Sequence, residues 1–225
     1  RGREYAAAPV VRQDPTSPFW PNRWAGDAVI LEPMVPVVRG ERPVLFRADS
    51  EWQLRALLLF LDEFPDLDAA VVGAEEAWKV ADELARREVP VIVTSAYSPT
   101  SSREESITAA YRNAALLHRA GVRIAFGTDD ASDVRNLPYH AAHSVAFGLP
   151  RDEALRAVTL GPAEILGVDA LTGSLDAGKR ADLLVTDGDP LQYLTRVERL
   201  WIGGVEVDPQ DNKHHRLYEE FRDRR

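Results

Sequence analysis

Cysteine is absent from the 225 residues and methionine occurs once. Without thiols there is no disulfide framework, no thiolate metal site and no cysteine nucleophile, and the redox compartment stays open. A basic excess is missing too: 27 Lys and Arg stand against 36 Asp and Glu, a formal charge of -9. Phosphate backbones and anionic membranes call for clustered cations, so nucleic acid is set aside as a partner. No apolar run approaches the roughly 20 residues that span a bilayer, and the first residues lack the charged-then-apolar order of a signal peptide. The chain reads as soluble, and its opening, RGREYAAAP, reads as the middle of something longer. There is no His-x-His pair, no internal repeat, no low-complexity segment and no Gly-rich spacing of a phosphate loop.

What is present is an alternation. Residues 1–26 hold four prolines and read as an irregular lead-in that packs through Phe19, Trp20 and Trp24. Residues 27–40 form a short helix interrupted near Pro33 and Pro36. From there strands at 43–48, 68–73, 90–95 and 122–128 alternate with helices at 50–64, 74–88 and 102–121, with Ser50 as a cap and Gly121 as a stop. Near-continuous apolar strands separated by helices predict a parallel sheet covered by helices, in a doubly wound sheet or part of a (β/α)8 barrel. Helices at 136–148, 150–160 and 161–167 end the alternation. Strands at 181–190 and 197–208, the latter folded at Gly203-Gly204, add a small β element. Residues 209–225 form a charged helix or tail.

In either parallel architecture the chemistry gathers just past the carboxyl ends of the strands. Arg47, Asp49, Gly73, Ser95, Thr128, Asp129 and Asp130 fall there. The stretch VRIAFGTDDASDV, residues 122–134, runs an apolar strand straight into two adjacent carboxylates. Arg47 offers a guanidinium fork suited to a ligand carboxylate or phosphate, or to an internal ion pair with a neighbouring acid. Asp130 and Asp133 suit the turn, with Asp130 a secondary candidate for substrate binding.

GSLDAGKRADLLVTDGDPL (173–191) with VERLWIGGVEV (197–207) closely resembles the end of amidohydrolase-superfamily proteins, in particular the imidazolonepropionase-like and metal-dependent prolidase-like ones. ALRAVTLGPAEILGV (154–168) resembles the helical segment before it, and GVRIAFGTD (121–129) the last barrel strand. The resemblance implies the second half of a (β/α)8 barrel in 27–168, with strands five to eight, and part of a composite β-sandwich in 169–208. It implies a divalent metal such as zinc at the mouth, and places Asp129 at the strand-eight position that binds metal and shuttles a proton. Strand five, where the family has a histidine, offers Arg47 here; strand six offers Val72 or Gly73. A guanidinium is a permanent cation with no acceptor and binds no metal.

Two functions follow as expectations. One is hydrolysis of a C–N bond in a cyclic or peptide-like amide, completed by an N-terminal half on a longer precursor or a companion chain. The other is a catalytically inactive pseudoenzyme, without a cofactor, that binds a ligand or builds an assembly. Asp129 then either acts on water and metal, or caps the turn after its strand and pairs with Arg47 across the mouth. Relatives of this type are often exported, which leaves a periplasmic or secreted home open.

Overall fold

The computed structural model describes residues 32–94, 96, 108–209, 211 and 213–222. The lead-in at 1–26, Ser95 and the first residues of the helix expected over 102–121 lie outside them. Around Pro33 and Pro36 a 3-10 turn, Glu32–Met34, leads into α1 (Val35–Val38). Pro36 lies inside the first turn of α1, where its missing N–H removes no helical bond.

Four strands then alternate with helices: β1 (Val44–Ala48), α2 (Glu51–Glu63), β2 (Ala69–Gly73), α3 (Ala81–Arg86), β3 (Val91–Val93), α4 (Asn113–Arg119) and β4 (Ile124–Phe126). All neighbours are parallel and the spatial order is the chain order. Ser50 starts α2 in extended conformation, and the Gln53 side chain reaches back to accept from the Ser50 and Asp49 amides. The helix expected over 74–88 is shorter. Gly73 (φ 95°) and Ala74 (φ 59°) turn the chain through the left-handed region, and a 3-10 turn at Ala77–Val80 precedes α3. Asn113, fully buried at the start of α4, holds that turn. Its Oδ1 accepts from the Trp78 amide at 3.0 Å and its Nδ2 donates to the Ala74 carbonyl at 2.8 Å.

Strand alternation sorts the side chains to two faces. Val44, Phe46, Ala48, Ala69, Val71, Val91, Val93, Ile124 and Phe126 pack with Leu54, Leu58, Leu84 and Leu117 of the helices into the main core. Each fully buried leucine there contributes about 1.5–3 kcal/mol. Ala70, Ile92 and Ala125 face the other way and meet Ile165. Leu45 and Arg47 share that second side, and Leu45 is exposed.

Helices α5 (Leu137–Ala146), α6 (Arg151–Arg156) and α7 (Leu160–Ile165) follow; α7 supplies Ile165, and the Ala157 carbonyl accepts from the Phe126 amide on the free side of β4. Next come β5 (Leu183–Thr186), β6 (Val197–Ile202) and β7 (Val205–Val207), an antiparallel sheet in chain order, then α8 (Lys213–Arg222). Gly203 (φ 59°) and Gly204 (φ 82°) both take the positive φ of a two-residue type I′ turn. Asp182 accepts from the Gly203 amide at 2.7 Å, which secures the tip. Arg151 on α6 donates to Asp189 at 2.7 Å, and buried Leu191 plugs the main core, so the small sheet is tied to the larger body. A parallel sheet with helices packed on one face and a second face left for an interior is the second half of a (β/α)8 barrel, carrying part of a small β-sandwich.

Candidate active site

The carboxyl ends of β1 to β4 bring together residues far apart in sequence. Arg47 lies on the interior face of β1, because Phe46 and Ala48 on either side of it turn to the helices. Asp129 follows β4. The two meet across the mouth in a bidentate pair, Nη1 to Oδ1 at 2.8 Å and Nη2 to Oδ2 at 2.9 Å. β1 and β4 are the outer strands of the sheet, so this pair spans all four strands and requires the sheet to curve.

Two further contacts complete the cluster. Thr94, at the end of β3 and buried, donates its hydroxyl to Asp129 Oδ2 at 3.0 Å. Asp49, just past β1, sets Oδ2 3.4 Å from Arg47 Nε. Its backbone is fixed from both sides: the amide donates to Gln53 Oε1 at 2.9 Å and the carbonyl accepts from the Glu76 amide at 2.9 Å. The Arg47 hydrogen bonds hold the Asp129 carboxyl below the usual carboxylate range, helped by Thr94 and opposed by burial. Asp129 also draws the Arg47 guanidinium still further up, and Asp49 adds to it by charge. Arg47 and Asp129 thus hold each other in the charged form.

Gly73 ends β2 opposite Ala48. A Cβ built there would lie 2.0 Å from Asp49 Oδ1 and 3.0 Å from its Cγ. Asp49 therefore fills the space that a side chain at the end of β2 would take. Val72 is the register partner of Arg47.

Asp130 stands apart from the cluster. It is exposed and accepts from the Ser132 amide at 2.7 Å, which closes the turn and lowers its carboxyl. Asp133 accepts from Asn136 at 2.5 Å and lies 2.8 Å from Nε2 of buried His140. His143 sits between Tyr111, which it meets edge-on, and the tilted ring of Phe147, with ring centroids 4.8 Å from each, and burial pushes its imidazole down. His118 lies 3.8 Å from Glu153 and His215 3.4 Å from Glu219. Sequence reasoning missed Thr94 and the Asp133–His140 contact. The first sits inside an apolar strand, and the second joins a loop to a helix through a turn that spacing alone does not reveal.

Whether a divalent metal fits can be read from the donors. Both oxygens of Asp129 are taken by a guanidinium fork, and β1 carries a cation, Arg47, where the resemblance leads one to expect an imidazole. Among the described residues no group of three or more His, Asp or Glu side chains could hold a metal ion. The described residues do not fit the metal.

A parallel half-barrel with polar residues at the strand ends and a hairpin sheet beside it matches about half of a solved amidohydrolase. The model of the amidohydrolase family matches residues 62–207, and the chain belongs to that family. Imidazolonepropionase from Sphingopyxis alaskensis is 37% identical over 86 residues, covering 36% of this chain and 21% of the relative. An amidohydrolase structure from Thermotoga maritima superposes with a TM-score of 0.71 at 28% identity, over 79% of this chain and 46% of that one. An adenosine deaminase from Xanthomonas campestris with bound zinc gives 0.50 at 25% identity, over 74% and 45%. The chain spans 9–30% of the length of the curated relatives that it matches. Among the described residues no helix is long and apolar enough to cross a membrane.

Proposed function

We propose that this chain is the C-terminal half of an amidohydrolase-family barrel, completed by an N-terminal segment or a companion chain. Its mouth binds a small polar ligand of amide type and does not hydrolyse it through the family's metal chemistry. The observation that carries this reading is the Arg47–Asp129 fork, which occupies the carboxylate expected from the resemblance to act as proton shuttle. An aspartate fully engaged with a guanidinium and held below its usual range is a weak base toward water. What the cluster can do is orient a ligand's polar groups against fixed charges.

A second reading is supported by one observation, that Asp129 stands just past the end of β4, where the family resemblance leads one to expect a working carboxylate. In that reading the assembled protein hydrolyses a C–N bond in a cyclic or peptide-like amide, and zinc is held by residues outside those described. The two readings separate in one assay of the intact protein against a panel of N-acyl amino acids and cyclic amides. Saturable binding without product is expected. Turnover that disappears in Asp129→Asn would instead establish hydrolysis.

A further inference from the structure

The mismatch between this mouth and a divalent metal has a specific physical form. A metal takes a carboxylate at about 2.0–2.2 Å along the edge where the lone pairs lie. On Asp129 that edge is occupied by two parallel N–H donors, at 2.8 and 2.9 Å. A dication there would meet the Arg47 nitrogens within a few ångströms, cation against cation. Net charge gives no such barrier. Arg47 set against Asp49 and Asp129 leaves the trio negative, so the field draws cations in while the occupied edge turns them away.

Arg47 is kept in place by a second carboxylate. Asp49 Oδ2 lies 3.4 Å from Nε, opposite the fork. Gln53 and the Glu76 amide fix the Asp49 backbone, which sets where its side chain starts. It can lie across the end of β2 only because residue 73 has no side chain: a Cβ would come within 2.0 Å of Oδ1. Arg47, Asp49 and Gly73 thus form one interlocked replacement. A histidine at 73 and the present Asp49 exclude each other, and a histidine at 47 removes the cation that Asp49 serves.

Resting on the reading of the mouth given above, we propose that Arg47 is the resident cation of this site, standing electrostatically for a divalent metal and excluding one, with Asp49 above Gly73 as its positioning residue. The test is zinc titration by calorimetry on the intact protein, with folding of each variant checked by circular dichroism. Wild type is expected to show no stoichiometric uptake that depends on Asp129. Arg47→His, which withdraws the fork and adds an imidazole, is expected to bind zinc at least tenfold more tightly than wild type. Arg47→His/Asp129→Asn should lose that gain. Arg47→Lys, which keeps a cation, should remain like wild type and serves if the histidine variant fails to fold. One zinc per wild-type chain that is lost in Asp129→Asn overturns the proposal, as does an Arg47→His that folds and gains nothing. Turnover of an amide by zinc-free wild type would defeat the functional reading alone and leave this proposal standing.

Discussion

Arg47 and Asp129 carry opposite implications for chemistry and for stability. Their side chains are 57% and 41% exposed in this chain, and a pair so open to water contributes about 0–1 kcal/mol. We therefore expect Asp129→Asn to change urea-unfolding stability by less than about 1 kcal/mol while altering ligand binding at the mouth. Asn113 is the contrary case. It is buried, and its truncation strands the Trp78 amide and the Ala74 carbonyl beside a backbone already in the left-handed region. Asn113→Ala should cost about 1–3 kcal/mol in the same measurement. The Arg47–Asp129 pair was legible in the sequence, because two opposite charges were placed at the ends of parallel strands. Thr94 was not, since a threonine inside an apolar strand reads as packing. Asp49 was legible as a mouth residue, but its fit over Gly73 depends on a backbone angle that sequence does not print.

Among the elements, the four strands and the helices behind them follow their hydrophobic periods closely, and the hairpin follows Gly203-Gly204. Departures come where tertiary contacts overrule local preference. The helix expected from residue 74 starts late because Asn113, 39 residues away, holds the turn open. The segment expected to end a helix at 160 instead splits between α6 and α7, and the Ala157 carbonyl bonds to β4. The tie between α6 and the β5–β6 connection has a pH signature. Arg151, then the Leu191 amide, hold the Asp189 carboxyl below its ordinary range near 4. Because the folded value is the lower one, this contribution is complete above that range and is lost as pH falls through the folded value. Melting temperature should fall below about pH 4, and Asp189→Asn should remove part of that slope. A slope unchanged in the variant would show that the tie is idle.

At the scale of the whole molecule, the half-barrel reading predicts a neighbour for the sheet. Its interior face leaves Leu45 and the mouth cluster open. Phe60 of α2, edge-on to Phe46 and stacked with Phe64, lies 40% exposed near β1. Residues 1–225 expressed alone should associate in a concentration-dependent way by sedimentation, because apolar surface of this extent seeks cover. A monomer with a cooperative melt would contradict the half-barrel account. Barrel membership was readable from three stretches of sequence in the right order. The function was not, because family likeness follows the scaffold, while the chemistry turns on a few strand-end residues.

Arg47 is proposed to sit where the family resemblance leads one to expect a metal. Crystals of the intact protein grown with zinc, measured at the zinc absorption edge, test it directly. The account predicts no anomalous peak within bonding distance of Asp129 and clear density for Arg47 between Asp49 and Asp129. A peak about 2 Å from the Asp129 carboxylate, with Arg47 turned away, would contradict it.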